Sequence, residues 1–261
     1  MIYTICSKTD PGRARENNED SVAYHQATNL SVLADGMGGY NAGEIASGMA
    51  TAFIKSEMAR WLSETGNNAT SREIKRALEI CVENANRSIF NAASSNAQYS
   101  GMGTTLVVAV FQDTRLLLGH IGDSRCYRLR SGELMQITKD HSLLQEQIDA
   151  GLLTPEQAAT SSHKNLVTRA LGVEDAVMLE LNEHSIEPGD LYMMCSDGLS
   201  DMANDAEIAV ILDSQMSIEQ KANRLITVAN EHGGRDNITV LLVQAGANDK
   251  RRGLMSRLLR K

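Results

Sequence analysis

The chain has 261 residues, of which 42% are hydrophobic and 22% charged, as in ordinary globular proteins. Its net charge is −8, but residues 249–261 contain six Lys or Arg and one Asp, which leaves −13 on the other 248 residues. An acidic body of this kind argues against nucleic acid as a partner. No apolar run approaches the ~20 residues of a membrane span. The N-terminus lacks the basic region that begins a signal peptide.

Strands are predicted from short apolar stretches bounded by turn residues. They cover 2–8, 20–25, 30–35, 103–112, 114–121, 124–130, 133–138, 177–186, 189–196 and 237–245. Ser131-Gly132 is typical of a hairpin turn. Adjacent hairpins indicate antiparallel pairing.

Helical periodicity occupies the segments between the strand groups. Helices are predicted over 42–63, 71–92, 204–213 and 217–232, with a helical insertion near 141–160. The face predicted for the first helix consists of Ile45, Met49, Ala52 and Phe53. Thr70 and Ser217 begin capping boxes. Two stacked antiparallel sheets with helix pairs outside would bury every apolar face, which predicts an α+β fold.

One domain over residues 1–247 is expected, followed by a short basic tail at 248–261. The tail is interpreted as a solvated terminus or as a weak contact with an acidic membrane surface or partner. Four widely spaced cysteines, Cys6, Cys81, Cys126 and Cys195, favour reduced thiols over disulfides or a zinc site. A cytoplasmic monomer is therefore expected.

Five aspartates share one sequence context, because each stands where an apolar strand meets a loop. They are Asp20, Asp35, Asp123, Asp197 and Asp236. One such Asp is usually a turn or capping residue. If all five converge, their charges repel strongly and cations are the natural compensation. Oxygen ligands favour Mg²⁺, Mn²⁺ or Ca²⁺ over Zn²⁺.

The segment "LSVLADGMGGYNAGE" at residues 30–44 places three glycines after Asp35. Gly36 leaves its carbonyl free to approach an ion, and Gly38-Gly39 allows a tight turn into the first helix. Carboxylates that hold two ions are the design of two-metal hydrolases. Arg13 and Arg15 are candidates for binding a phosphate, because the guanidinium fork matches phosphate oxygens.

Seven motifs in order resemble the metal-dependent protein phosphatase family, the type 2C serine/threonine phosphatases, in its stand-alone bacterial form. They are "DPGRARENNEDS", "VLADGMGGYNAGEIAS", "GTTLVVAV", "IGDSRCYRLRSGELMQITKDHS", "NLVTRALG", "PGDLYMMCSDGLSD" and "GGRDNITVLLV". The resemblance covers residues 3–245. It implies a four-layer α-β-β-α sandwich with a binuclear Mn²⁺ or Mg²⁺ site at one end.

The resemblance also implies a role for each matching residue. Asp35 would bridge both ions, the Gly36 carbonyl would bind the first, and Asp197 and Asp236 would bind the second. Glu19 and Asp20 would complete the site directly or through water, Arg15 would bind the phosphate, and Asp123 would hold a third ion. Residues 141–165 would form the mobile flap that influences substrate choice.

One position departs from the animal branch of the family. There a His follows the metal-bridging Asp-Gly and is proposed as the general acid, whereas this chain has Met37. Methionine cannot donate a proton. The expected donor to the leaving alkoxide is a water held by a metal ion, with His141 or His163 as weaker candidates.

The predicted function is therefore hydrolysis of phosphoserine and phosphothreonine in proteins, opposing a bacterial serine/threonine kinase. Two alternatives remain: an inactive regulatory member of the same fold, or a metal-dependent phosphodiesterase. Cys81 and Arg87 have the Cys-x5-Arg spacing of cysteine-based phosphatases. They lie within a predicted amphipathic helix, where backbone N–H groups are not free to bind phosphate.

Overall fold

The structure is a computed structural model that describes residues 1–39, 42–154, 157 and 166–247. The strands described there are β1 (Ile2–Asp10), β2 (Asp20–His25), β3 (Leu30–Met37), β4 (Gly103–Thr104), β5 (Leu106–Gln112), β6 (Arg115–Ile121), β7 (Arg125–Arg130), β8 (Glu133–Gln136), β9 (Glu180–Ser185), β10 (Leu191–Cys195) and β11 (Ile238–Gly246). The α-helices are α1 (Ala42–Thr65), α2 (Ser71–Ser95), α3 (Leu143–Asp149), α4 (Asp197–Ser200), α5 (Asp205–Asp213) and α6 (Ile218–Glu231).

These strands form two antiparallel sheets that pack face to face. One sheet has the order β1-β11-β10-β7-β8, and the other has the order β2-β3-β5-β6-β9 with β4 beside β3. Between them Phe111 lies 5.3 Å, centroid to centroid, from both Tyr3 and Tyr192. Helices α1 and α2 cover the outer face of the six-stranded sheet, and α5 and α6 cover the five-stranded one. The expected four-layer sandwich is confirmed.

The face of α1 that meets the sheet differs from the prediction. The structure buries Ala46, Ala50, Ile54 and Met58, whereas Ala52 is exposed. Ile45, Met49 and Phe53 are only partly buried against the core. The first turns of α1 approach β3 closely, so small residues face the strand and larger apolar residues lie to the side.

Both capping boxes are confirmed. Thr70 Oγ1 accepts from the Glu73 backbone N–H at 3.3 Å, and Glu73 Oε2 accepts from the Thr70 N–H at 2.8 Å. Ser217 and Gln220 make the same reciprocal pair at the start of α6. Ser131 and Gly132 have φ values of 52° and 82°, as a two-residue hairpin turn requires.

Some element boundaries differ from the predictions. The predicted strand 103–112 is divided at Thr105, and the strand predicted from residue 177 begins at Glu180. Within the predicted insertion, α3 covers only Leu143–Asp149. Residues 155, 156 and 158–165 of the insertion and the basic tail 248–261 lie outside the described residues. No helix in the described part of the chain is long and apolar enough to cross a bilayer.

The topology distributes the five aspartates over both sheets. Asp20 and Asp35 lie on neighbouring strands of the six-stranded sheet. Asp197 follows β10 after Ser196, and Asp236 lies two residues before β11; both strands belong to the five-stranded sheet. Asp123 lies in the connection from β6 to β7, where the chain crosses from one sheet to the other. The candidate site therefore spans the junction of the two sheets.

Candidate metal centre

The centre is built on the pairing of β2 with β3. Asp20 and Asp35 are direct partners in this antiparallel register. The backbone of Asp35 is fixed from the other side: its carbonyl accepts from the Thr105 N–H and the Thr104 hydroxyl, each at 2.8 Å, and its N–H donates to Thr105 Oγ1 at 3.0 Å. These contacts explain why the predicted strand 103–112 is interrupted at Thr105.

The structure brings all five predicted aspartates together. Burial raises the pKa of Asp35 well above its usual range, and the four other carboxylates raise it further. The carboxylates that raise the pKa of Asp35 in addition to burial are those of Asp20, Asp197, Asp123 and Asp236. Asp197 shows the same upward direction of pKa, first from burial and then from Asp123 and Asp236. Repulsion of this kind means that Asp35 and Asp197 are desolvated and that the other carboxylates lie near them.

Two further members of the cluster have pKa values of about 6. Burial raises the pKa of Asp20, and the hydrogen bond from the Ser196 hydroxyl offsets part of the rise. Burial also raises the pKa of Asp123, with Asp140 as the next cause. A nearby cation would favour the ionised form of both carboxylates and so offset the cost of burying their charge.

One oxygen of Asp20 shows directly that the cluster suits a cation. Asp20 Oδ2 accepts from the Ser196 hydroxyl at 2.7 Å, but the buried Oδ1 has no hydrogen-bond partner among the described residues. A buried carboxylate oxygen without a donor is costly unless a cation lies beside it. Because the potential ligand atoms nearby are carboxylate oxygens, a hard divalent cation fits the site.

Gly36 lies at a close approach between β3 and the start of α1. A Cβ there would collide with the carbonyl of Gly43 and with that of Glu19. The Gly36 N–H donates to the Glu19 carbonyl at 3.1 Å, and Ser47 Oγ donates to the same oxygen at 2.5 Å. Burial raises the pKa of the Glu19 carboxyl, while Arg15 lowers it. Glu19 and Gly36 thus lie side by side at the rim of the cluster.

Asn237 is a structural residue of the site to which the sequence analysis gave no role. Its side-chain N–H₂ donates to the carbonyls of Pro11 and Asn17, and its Oδ1 accepts from the Glu19 N–H. It joins the N-terminal loop to the start of β11. Helix α4 also approaches Asn237 closely, because a Cβ on Gly198 would collide with the Asn237 carbonyl. The adjacent "DN" and "DG" pairs in the sequence were the available signal.

Arg15 is the arginine that reaches the cluster through its side chain. Its Nη2 donates to Asp236 Oδ2 at 2.8 Å, and half of the side chain stays exposed. Arg13 contributes its backbone N–H to the Gly234 carbonyl at 2.7 Å. The geometry therefore favours Arg15 over Arg13 as the phosphate-binding candidate.

His141, a weaker candidate for the proton donor, does not lie in an exposed loop. His141 is buried, its Nδ1 accepts from the Gly122 N–H at 3.2 Å, and its Nε2 lies 3.2 Å from Glu180 Oε2. Both ring nitrogens thus have partners within the protein. His163, the other candidate, lies outside the described residues.

A second group of potential ligands lies behind the Asp123 loop. One ligand atom from each of His120, His141 and Glu180 falls within 4.8 Å of the other two. This group contains none of the five aspartates. The four cysteines are buried and unpaired, and Cys81 lies inside α2 as expected.

The comparisons with known proteins agree with this geometry. The family profile described as protein phosphatase 2C matches residues 12–232. The serine/threonine phosphatase stp of Listeria innocua is 38% identical over 248 residues, which cover 94% of this chain and 97% of that protein.

Two solved structures extend the comparison to three dimensions. The Streptococcus agalactiae serine/threonine phosphatase superposes with a TM-score of 0.86 at 37% identity, covering 94% of this chain and all of the other. The catalytic domain of the phosphatase PstP, solved with two manganese ions, superposes with a TM-score of 0.82 at 37% identity. The match covers 94% of this chain and 99% of that one. The expected fold and enzyme class are confirmed, and the chain belongs to the protein phosphatase 2C family.

Proposed function

We propose that this protein is a Mn²⁺- or Mg²⁺-dependent phosphatase that hydrolyses phosphoserine and phosphothreonine in proteins. The observation that carries the proposal is that four carboxylates act on the buried Asp35, next to an Asp20 whose Oδ1 is buried and has no hydrogen-bond partner among the described residues. Such a cluster is strongly favoured only with cations in place. Two bound ions, and a third near Asp123, would supply an activated water and neutralise the charge of the phosphoryl group.

The assignment of ligands follows the placement of the carboxylates. Asp35, whose pKa is raised by repulsion from all four other aspartates, is proposed as the bridging ligand. The Gly36 carbonyl would bind the first ion, and Asp197 and Asp236 would bind the second. Glu19 and Asp20 would complete the site directly or through water, and Asp123 would hold the third ion. All of these positions carry an oxygen ligand, which disfavours an inactive regulatory member of the family.

Arg15 is proposed to hold the substrate phosphate. A guanidinium has five N–H donors, so Arg15 can keep its contact with Asp236 and still present donors to phosphoryl oxygens. The half-exposed position of its side chain at the edge of the cluster suits this role. Met37, directly after Gly36, offers no proton, so the proposed donor to the leaving alkoxide is a water held at the metal site, with His163 as the weaker candidate.

Removal of metal tests the proposal most simply. Hydrolysis of p-nitrophenyl phosphate is expected to fall to background in excess EDTA, because the carboxylates alone provide neither nucleophile nor charge neutralisation. Adding Mn²⁺ beyond the chelator should restore it, and Mg²⁺ in its place tests which ion supports turnover. Full activity in EDTA would exclude the metal mechanism.

Replacing Arg15 with alanine tests the phosphate-binding role. We expect the Arg15→Ala variant to raise KM for a phosphothreonine peptide about tenfold or more, because a charge-assisted hydrogen bond of ~1.5–3 kcal/mol is lost. Inhibition by inorganic phosphate should weaken by a similar factor. Arg13→Ala is the matched control, since the described contact of Arg13 is made by its backbone. Equal effects of the two substitutions would remove the special role of Arg15.

The finer biological assignments are part of the same proposal. We infer a cytoplasmic monomer that acts in signal transduction by opposing a serine/threonine kinase. Its catalytic domain would cover residues 1–247, with a flap at about 141–165 and a basic tail at 248–261. The buried, unpaired cysteines and the similarity to stand-alone bacterial phosphatases support this assignment.

A further inference from the structure

The connection between β6 and β7 carries Asp123, and a second segment holds this connection in place. Residues 138–141 lie along it and contact it repeatedly. The Cys126 N–H donates to Thr138 Oγ1 at 2.9 Å, and Arg125 Nη2 forms an ion pair with Asp140 at 2.7 Å. Both contacts lie on the β7 side of Asp123.

On the β6 side of Asp123, the described hydrogen bonds of Gly122 are both made with His141. The His141 N–H donates to the Gly122 carbonyl at 2.9 Å, and the Gly122 N–H donates to His141 Nδ1 at 3.2 Å. Gly122 has a φ of +99°, and a Cβ there would collide with the Thr105 side chain, so this position requires glycine. The first bond holds the carbonyl of the Gly122–Asp123 peptide through the His141 backbone, and the second holds the N–H of the Ile121–Gly122 peptide through the imidazole.

These bonds also assign the protons of the two histidines. His141 Nδ1 accepts from an N–H, so in the neutral ring Nε2 carries the hydrogen and donates it to Glu180. Burial lowers the pKa of His141, which favours the neutral ring. His120 Nε2 lies 2.8 Å from the Lys139 carbonyl and so donates to it. The His120 ring stacks on His141 with centroids 4.7 Å apart and completes the support.

The same protonation argues against a metal ion in the group of His120, His141 and Glu180. A metal at His141 Nε2 would move the proton to Nδ1, where it would face the Gly122 N–H. The group is better explained as a support for the loop than as a ligand set.

The other side of His141 reaches the root of the predicted flap. Its carbonyl accepts from the Thr168 N–H at 2.8 Å, and Ser142 forms a β-bridge with Val167. His141 therefore contacts both the loop of a proposed metal ligand and the segment where the flap rejoins the core.

We propose that His141 is a positioning residue: its imidazole holds the Ile121–Gly122 peptide, which leads into Asp123, in place for the third metal ion, while its backbone joins Gly122 to Thr168. The proposal rests on the role assigned above to Asp123. Residues behind metal ligands commonly change metal affinity 10–100-fold when they are replaced.

Three variants separate this role from general stability. His141→Ala removes both side-chain bonds. His141→Asn keeps an acceptor at the position of Nδ1 for the Gly122 N–H but loses Glu180. Glu180→Gln keeps an acceptor for His141 Nε2 and removes only the charge. A loss of stability through the missing Glu180 bond should affect Ala and Asn alike, and the unfolding midpoint of each variant measures it.

The readouts are Mn²⁺ titration by calorimetry and amide hydrogen exchange without metal. We expect His141→Ala to weaken the weakest Mn²⁺ site about tenfold or more, with the tighter sites unchanged. Exchange should accelerate in residues 120–126, whereas the Thr168 N–H should keep its protection, because it bonds to the His141 backbone. His141→Asn and Glu180→Gln should resemble the parent in metal affinity and in exchange at 120–126.

Three results would overturn the inference. The first is a folded His141→Ala protein with parental Mn²⁺ affinities and parental exchange at 120–126. The second is a His141→Asn protein indistinguishable from His141→Ala. The third is loss of one bound ion in Glu180→Gln, which would make the histidine group a metal site. Because no readout uses turnover, a protein without phosphatase activity would refute the proposed function and leave this test intact.

Discussion

Replacing Asp35 with asparagine is expected to lower turnover by about 10³-fold or more and to weaken Mn²⁺ binding. Asp35 is the carboxylate on which the other four aspartates act, so its loss removes the charge at the middle of the cluster. Losing one preorganised electrostatic group from an active site commonly costs 10²–10³-fold, and a bridging ligand affects two ions. Turnover of a phosphopeptide and Mn²⁺ calorimetry measure the two effects.

A matched control for this substitution is Asp113→Asn. Asp113 also lies where a strand meets a turn, but between β5 and β6 at the end of the sheet away from the cluster. Its φ of 50° is one that asparagine accepts readily. We expect parental turnover from this variant. If Asp35→Asn also turned over at the parental rate, the assignment of the bridging ligand would be wrong.

The second large effect concerns stability in the presence of a chelator. In EDTA, the free energy of unfolding is expected to fall as pH rises from about 4 to about 6. The pKa values of Asp20 and Asp123 are about 6 in the folded protein, whereas an unfolded Asp titrates near 3.9. Between these values the folded state binds more protons, so this stabilisation is full below the unfolded pKa and is lost above the folded one.

The size of the effect follows from the shift. At ~1.4 kcal/mol for each pKa unit, a shift of about two units at Asp123 corresponds to about 3 kcal/mol. Saturating Mn²⁺ should reverse the slope, because the ionised carboxylates then hold cations. Urea unfolding at several pH values, with EDTA or with Mn²⁺, measures both slopes.

Asp123→Asn isolates the contribution of one carboxylate. Its pH dependence in EDTA should be flatter than that of the parent, and its stability near pH 7 should be higher. Asp113→Asn should retain the parental slope. A parental stability in EDTA that rises steadily from pH 4 to pH 6 would contradict the repulsion inferred for the cluster.

The positions of the five aspartates were predictable because a buried strand that ends in a lone carboxylate is a local pattern. Asp35 in "VLADG" and Asp197 in "MCSDG" each show it within five residues. Their convergence required the topology, which the hairpins and helix pairs indicated. The resemblance to the family added a role for each residue, and the structure adds the unpartnered oxygen of Asp20.

The features that were not predicted depend on contacts between distant segments. The apolar periodicity of α1 favours its larger residues, but the approach of Gly43 to Gly36 places the small ones against the sheet. The burial of His141 depends on Gly122 and Glu180, which are 19 and 39 residues away. Local patterns carry no information about such neighbours.

The division of the carboxylates between two sheets has a consequence for the order of folding. Asp20 and Asp35 come together as soon as β2 and β3 form a hairpin. Asp197 and Asp236 lie beside strands of the other sheet. Neither half is a complete ion site by itself, so tight metal binding must follow the docking of the sheets. Since the ions would bind only after the transition state for folding, they would slow unfolding far more than they would speed folding.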